Sequence, residues 1–392
     1  MPSLAITPAA GLRMLAVIMG GMLAAAGGRT FATGHHRPPI VGVSHIALYT
    51  SDPAKSERFY VHDLGALKGY DPETPRGVRY YFASAQFVEV LPLPDGPVSI
   101  NRLDHIAFAT PDAEGLRAYL AANGIVVPPT TTRAGEGTQW FDVTDAEGNK
   151  VEFVQSARGG PVVPANSLSN HIIHLGIIVH DRVQEDSFYR GLLGFRPYWF
   201  GGTQDDKPMW IAQQVPDGTD WLEYMIVDPP GGRGIPPGMT PAVLGILNHL
   251  SLGVANVEKA YTLLWNGDRL AGQETLPKIG RDAKWQLNLF DPDGTRAEIM
   301  EFHAIGTPCC SPFTASDPQQ EGVCHDRTAQ VHCRGCRSRG SALYQHPRYA
   351  RAGCAIREEG RIRTLWAGRS QRTADCTCSA GNQALPARRG DH

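Results

Sequence analysis

Apolar and polar positions along residues 40–303 follow a pattern that recurs four times. The first unit opens with IVGVSHIALYT, an apolar run rich in β-branched residues that predicts a strand. In the following SDPAKSERFYVHDLG, Ser51 or Asp52 suits a helix cap and Pro53 the first helical position. Phe59 and Leu64 suit one apolar helical face, and Gly65 the stop. VRYYFA and QFVEVLP then read as strands. The second unit repeats this order with LDHIAFATPD, the helix DAEGLRAYLAANG, and a hairpin of QWFDVTD and KVEFVQ turning through Asp145 to Gly148. The third, HLGIIVHDRVQEDSFYRGLLGF, copies the first, with Phe188-Tyr189 and Gly194 placed as Phe59-Tyr60 and Gly65 are. The fourth, NHLSLGVAN to TRAEIMEF, parallels the second, its turn Asp291 to Gly294 matching Asp145 to Gly148.

One polar pair marks every unit: a histidine early in the first strand and a glutamate late in the last. The pairs are His45 and Glu89, His105 and Glu152, His174 and Glu223, His249 and Glu298. A repeat of this kind defines the fold before any local reading does. Neighbours in a strand point to opposite faces. Apolar neighbours such as Val88 and Val90, Val151 and Phe153, Leu222 and Tyr224, or Ala297 and Ile299 should face the helices, and the His and Glu the other side of the sheet. A sheet curled around that side gathers two His and two Glu in one concavity. A single strand His is usually a hydrogen-bonded core residue and a single Glu a solvated one; the fourfold recurrence argues for something more. Buried carboxylates need a partner or a cation. Two imidazoles with two carboxylates form a mixed nitrogen and oxygen site suited to a divalent Zn, Ni, Fe, Mn or Co ion, with positions left for water or substrate.

Composition divides the chain. Its 392 residues are 42% hydrophobic and 19% charged with a net charge of −2, a globular balance with no electrostatic footprint for nucleic acid. All eight cysteines lie beyond residue 308, in a segment, 304–392, with thirteen Arg and no Lys. That segment has weak apolar periodicity and reads as a Cys/Arg-rich disordered tail or an out-of-frame extension. Cys324, Cys333 and Cys336 with His325 or His332 can be written as a zinc site, but their spacing matches no defined zinc motif. At the other end, residues 1–34 read as a signal peptide: Arg13, then the apolar run MLAVIMGGMLAAA, then small residues with cleavage after Ala26 or Ala32. The run is shorter than a membrane helix needs. This predicts a secreted or periplasmic protein with no membrane attachment after cleavage; an uncleaved anchor is the alternative.

The residues and their order resemble the vicinal oxygen chelate superfamily, the glyoxalase/bleomycin-resistance/extradiol dioxygenase fold, over residues 40–303. The resemblance implies an α+β fold of four βαβββ modules, at 41–92, 102–156, 171–227 and 246–303, paired into two glyoxalase-like incomplete barrels. The domains would be 40–157 and 171–303, joined by a linker at 158–170. The His-Glu-His-Glu order is most similar to glyoxalase I. It implies His45, Glu89, His105 and Glu152 as metal ligands in the first half, and His174, Glu223, His249 and Glu298 in the second. Extradiol dioxygenases of this fold use two His and one Glu on iron, so Glu89 and Glu223 are additional carboxylates relative to them, although the four-module length is theirs.

Glyoxalase-like chemistry implies a divalent metal, a small substrate bound through vicinal oxygens, and a carboxylate, Glu152 or Glu298, that takes a proton from carbon, giving lyase or isomerase activity. An extradiol-type ring-cleaving dioxygenase is one alternative, and a non-catalytic small-molecule-binding protein another. The body lacks a basic cluster suited to glutathione. Trp140, Trp210, Trp221, Tyr224 and Trp285 are aromatic positions near the ligands, read as core or as a platform for a different small molecule. Between the third and fourth units, residues 228–241 are rich in Gly and Pro and read as a surface loop or a lid. The second half is favoured as the active one. Modules of this type pair within a chain or between chains, so the sequence leaves the oligomeric state open.

Overall fold

The computed structural model describes residues 36–314, apart from 97–99, 135–136, 158, 165–166, 203–207, 228–246, 271 and 274, together with a strand pair, β17 (Gly353–Glu358) and β18 (Arg361–Trp366). The signal segment, the Gly/Pro-rich loop at 228–241, and Cys324, Cys333 and Cys336 lie outside the described residues.

In the first domain, β1 (Gly42–Thr50) leads to α1 (Pro53–Glu57), whose N-terminus is capped by Asp52 accepting from the Lys55 amide. The helix widens into a π-helical turn, Arg58–Asp63, where Leu64 N–H reaches Phe59 O at 2.9 Å. Gly65, at φ 78°, ends it, a backbone conformation that disfavours a side chain. Strands β2 (Leu67–Tyr70), β3 (Val78–Ala83) and β4 (Gln86–Pro92) complete the module. The second module runs β5 (Leu103–Ala109), α2 (Ala113–Ala122), β6 (Thr132–Arg133), β7 (Gln139–Thr144) and β8 (Lys150–Gln155). The second domain repeats the series with β9 (Ile172–Val179), α3 (Arg182–Asp186) and its π-helical turn, β10 (Arg196–Gly201), β11 (Trp210–Gln214), β12 (Trp221–Ile226), β13 (His249–Val254), α4 (Val257–Asn266), β14 (Lys278–Ile279), β15 (Trp285–Phe290) and β16 (Arg296–Glu301).

Each domain is one eight-stranded sheet. The orders, β2-β3-β4-β1-β5-β8-β7-β6 and β10-β11-β12-β9-β13-β16-β15-β14, are identical in plan. The first strands of the two modules pair antiparallel at the centre of each sheet, and each also pairs parallel with the last strand of its own module. This is the expected α+β architecture of paired modules in two curled half-barrels.

The strand neighbours of the polar pairs face the core, as the alternation requires. Ile46, Val88, Val90, Ile106, Val151, Phe153, Leu175, Leu222, Tyr224, Leu250, Ala297 and Ile299 all belong to one buried cluster that runs through both domains. Phe108 and Phe195 join its halves edge to face, with ring centres 5.1 Å apart. Polar groups also bridge the domains. Gln86 donates to Val43 O and Ile172 O and accepts from Ile172 N, and Asp220 accepts from Val43 N.

The tail divides otherwise than composition suggests. Residues 304–314 pack against the second domain, with Ala304 and Ser311 buried. No helix among the described residues is long and apolar enough to cross a membrane.

Candidate metal centres

All eight sequence-identified residues converge in two clusters of four. The strand register explains how. In the first domain Glu89 is aligned with Ala47, and Ala47 with His105; His45 is aligned with Ala107, and Ala107 with Glu152. The first cluster is therefore two rows, each across three strands, with a carboxylate at one end, an imidazole at the other and an alanine between them. The second domain has the same two rows: Glu223, Gly176, His249, and His174, Ser251, Glu298. The central residue must be small. A Cβ on Gly176 would lie 2.0 Å from His249 Cε1. Sequence reasoning missed these spacers, although each stands two residues after its histidine: Ala47, Ala107, Gly176 and Ser251.

In the first centre the imidazoles meet at 2.9 Å between Nε2 atoms. His45 Nε2 is 3.7 Å from Glu89 and 3.6 Å from Glu152, and His105 Nε2 is 3.6 and 3.9 Å from the same carboxylates. Ligand atoms of His45, Glu89 and His105 all lie within 4.8 Å of one another. The far nitrogens are oriented from behind: Ser44 contacts His45 Nδ1, and His105 Nδ1 lies 2.6 Å from Asp104. Burial alone would raise the Asp104 carboxyl, but hydrogen bonds from His105, Lys150 and Tyr49 outweigh it and hold it well below the usual range. Such a partner fixes the tautomer and direction of a ligand imidazole.

In the second centre the imidazole nitrogens of His174 and His249 are 3.0 Å apart. Glu298 lies 3.3 Å from His174, and Glu223 lies 3.3 Å from His249. Ligand atoms of His174, His249 and Glu298 group within 4.8 Å, a two-histidine, one-carboxylate set with Glu223 beside it.

Electrostatics support a cation at the first centre. Burial, then the neighbouring Asp71, pushes Glu89 up to about 9. Burial, then Glu73 and Asp142, pushes Glu152 well above the usual carboxylate range. Burial, then His105, drives His45 well below the ordinary imidazole value. Glu89 Oε2 and Glu152 Oε1 are buried without a hydrogen-bond partner. A neutral His45 imidazole beside carboxylates that lack partners belongs to the kind of donor set a divalent ion completes. Glu298 differs: burial would raise it, but Arg296 and His174 hold its carboxylate charged.

Among the described residues, the two centres differ in what stands beside Glu89 and Glu223. Arg79 on β3 is aligned with Glu89 and lies over Phe87, its guanidinium carbon 4.2 Å from the ring centre. It pairs with the fully buried Asp71 at 3.3 Å and with Glu73, so the β2–β3 loop fills the first cleft. On β11 the residue aligned with Glu223 is Ala212. The Glu223 side chain keeps 14% exposure, against 1% for Glu89.

The aromatic positions split by strand parity. Trp140 and Trp221 lie on the site side, and Trp221 packs against His174 at 4.7 Å. Tyr224 and Trp285 belong to the opposite, core side. Trp210 is half-buried beside Trp221. Sequence reasoning also missed Lys284, which is fully buried, donates to the Tyr198 hydroxyl at 3.2 Å and lies 4.7 Å from the Trp221 ring centre.

Comparisons with known proteins agree with this geometry. Residues 42–153 match the family described as Glyoxalase/Bleomycin resistance protein/Dioxygenase superfamily. No curated protein matches the sequence. Among solved structures, a variant of homoprotocatechuate 2,3-dioxygenase from B. fuscum in complex with HPCA aligns at TM-score 0.53 and 18% identity, covering 74% of this chain and 77% of that one. Another variant of that enzyme aligns at TM-score 0.51 and 19% identity, covering 69% and 74%. At this identity the likeness is one of fold. The first domain therefore belongs to the glyoxalase/bleomycin resistance protein/dioxygenase superfamily, and the second domain repeats its strand plan.

Proposed function

We propose that the chain is a divalent-metal-dependent enzyme that acts at its second-domain centre on a small substrate with two adjacent oxygens. The observation that carries this reading is what stands beside the carboxylate: Ala212 takes the place that Arg79 has beside Glu89, and Glu223, with 14% of its side chain exposed, is the ligand-set carboxylate that keeps more than marginal exposure. His174, His249 and Glu298 would hold the ion, and the first centre would hold one through His45, Glu89, His105 and Glu152. A divalent ion bound there supplies Lewis acidity to the two substrate oxygens. Glu298, kept charged by Arg296 and His174, suits a ligand that stays in place. Glu223, 3.3 Å from His249, suits a group that accepts a proton from substrate, and we assign it that role in preference to Glu298. Trp221 and Tyr198 line the site side beside the ligands. This is proton-transfer chemistry of the glyoxalase I type, without a requirement for glutathione.

A second reading, an extradiol-type ring-cleaving dioxygenase, is favoured by a separate observation. The grouping of His174, His249 and Glu298 is the two-histidine, one-carboxylate set of non-haem iron oxygenases. The solved structures that share the fold bear dioxygenase names. One experiment separates the two. Natively purified protein, with its metal identified by mass spectrometry, is assayed on aldehyde-derived hemithioacetals and on catechols with oxygen uptake followed. Isomerisation without oxygen uptake, abolished in Glu223→Gln, supports the first reading; ring cleavage with stoichiometric oxygen uptake replaces it with the second.

A further inference from the structure

Residues 304–314 run across the gap between the two edges of the second-domain sheet. At one edge, Ile305 N–H donates to Ala283 O at 2.9 Å and Cys309 N–H to Arg281 O at 2.8 Å, both in the turn after β14. At the other, Ser311 exchanges hydrogen bonds with both backbone groups of Phe200 on β10, and Thr314 N–H donates to Tyr198 O. The segment is a strap over the open side of the half-barrel. Phe313 on its inner face packs against Tyr198 at 5.0 Å and lies 4.9 Å from Lys284 Nζ.

Two adjacent cysteines sit at the middle of this strap. Neighbouring side chains in extended backbone point apart, yet the sulfurs of Cys309 and Cys310 are 3.1 Å from each other. The cause is the backbone. Cys310 has φ 70°, one of three positive values among the described non-glycine residues. Ser311 N–H closes on Cys309 O at 2.9 Å, so the three residues make a tight γ-turn of the rare, strained sense. Non-glycine residues hold such a conformation only where their surroundings over-determine it. Here the Cys309 carbonyl also accepts from Trp199 Nε1 at 3.2 Å, and its amide is held by Arg281 O. The strap thus holds both thiols on one side of the chain. Both cysteines are thiols and half-buried, within reach of a small solute.

We propose that Cys309 and Cys310 are a redox site: a vicinal dithiol that closes to a disulfide through the single peptide between them and fixes the strap over the second-domain cleft. The oxidant is a low-molecular-weight disulfide. One cysteine sulfur attacks it, forming a mixed disulfide and expelling one small thiol. The second cysteine sulfur attacks the mixed disulfide, forming the Cys309–Cys310 bond and expelling the other. Two protein thiols are oxidised, one small disulfide is reduced, and the two thiol protons leave with the two small thiols. The sulfurs need to close by only about 1 Å to reach bonding distance, so the strap stays where it is and loses freedom. Adjacent Cα atoms lie nearer together, at about 3.8 Å, than the usual disulfide spacing. The bond is therefore readily reduced again, as regulatory disulfides are. This site stands independently of the metal chemistry.

The test uses the full chain equilibrated with mixtures of oxidised and reduced glutathione, then differential alkylation, peptide mapping and hydrogen exchange. The expected result is a 309–310 peptide that loses two hydrogens and both alkylation sites together, with exchange across 304–314 slowed. C309S and C310S should each stop at the mixed disulfide and leave exchange unslowed. A persistent glutathione adduct in the unmutated chain would overturn the proposal, as would pairing of either residue with a cysteine beyond residue 314, or exchange that does not respond to oxidation.

Discussion

The hydroxyl of Tyr60 donates to Asp291 across the domain boundary at 3.1 Å, and Tyr189 repeats the bond in reverse to Asp145, also at 3.1 Å. Both acceptors open the same turn. The second oxygen of Asp291 takes the Asp293 and Thr295 amides, and that of Asp145 takes the Glu147 and Asn149 amides. The repeat in sequence has become a reciprocal latch between domains. Each tyrosine is fully buried, so Tyr60→Phe and Tyr189→Phe should each cost about 1 kcal/mol by leaving a buried acceptor short of a donor. Their effects should add in urea denaturation because the bonds share no partner.

The same interface predicts a pH dependence. Burial pushes Asp291 up to about 7, and burial with the nearby Asp145 pushes Glu185 up to about 8. Their folded values lie above those of unfolded carboxyls, so the folded state binds more protons in between. Their contribution to stability is full below about pH 4 and is lost as pH rises through about 7 and 8. Glu185 is fully buried, accepts from the Glu147 amide and has its second oxygen unpartnered. Glu185→Gln should keep the accepted bond and flatten the decline, raising stability at alkaline pH by on the order of 1–2 kcal/mol. Thermal melts from acid to alkaline pH check this.

The small spacers give a sharper test of the sites. Gly176→Val places side-chain atoms on His249, since even a Cβ there meets Cε1 at 2.0 Å. The variant should lose metal from the second centre and keep it at the first, whose spacers are untouched. Metal analysis of the purified variant reads this directly.

Alignment with the neighbouring strand separates cleft from ligands. Ala212→Arg would reproduce beside Glu223 what Arg79 makes beside Glu89. Turnover should fall at least tenfold with bound metal unchanged, as expected when access rather than ligation is removed. Conversely, Asp104→Asn should weaken metal at the first centre about 10–100-fold by loosening His105 and leave turnover in place.

Much of this was legible in the sequence because strand parity is a rigid rule. Four matched His and Glu positions with apolar neighbours fixed which face each residue takes, and the fourfold recurrence fixed the module count. The difference between the centres was not legible. It depends on which residue of a neighbouring strand aligns with Glu89 or Glu223, and register is a tertiary property; Arg79 within VRYYFA looks like an ordinary strand charge until it is seen opposite Glu89. The strap was hidden for another reason. Its eleven residues sit at the head of a segment whose composition differs from the body, and Phe313 and Ser311 find their partners more than a hundred positions earlier in the chain, on β10.

The central claim is that the second-domain centre holds the working metal. The most direct measurement is metal content per chain, by mass spectrometry, on the natively purified full-length protein beside Glu152→Gln and Glu298→Gln. The account predicts bound divalent metal in the native protein, with turnover lost along with the metal that Glu298→Gln releases and retained in Glu152→Gln. A native protein without metal that takes up none from added divalent ions would contradict it and leave a ligand-binding protein on this fold.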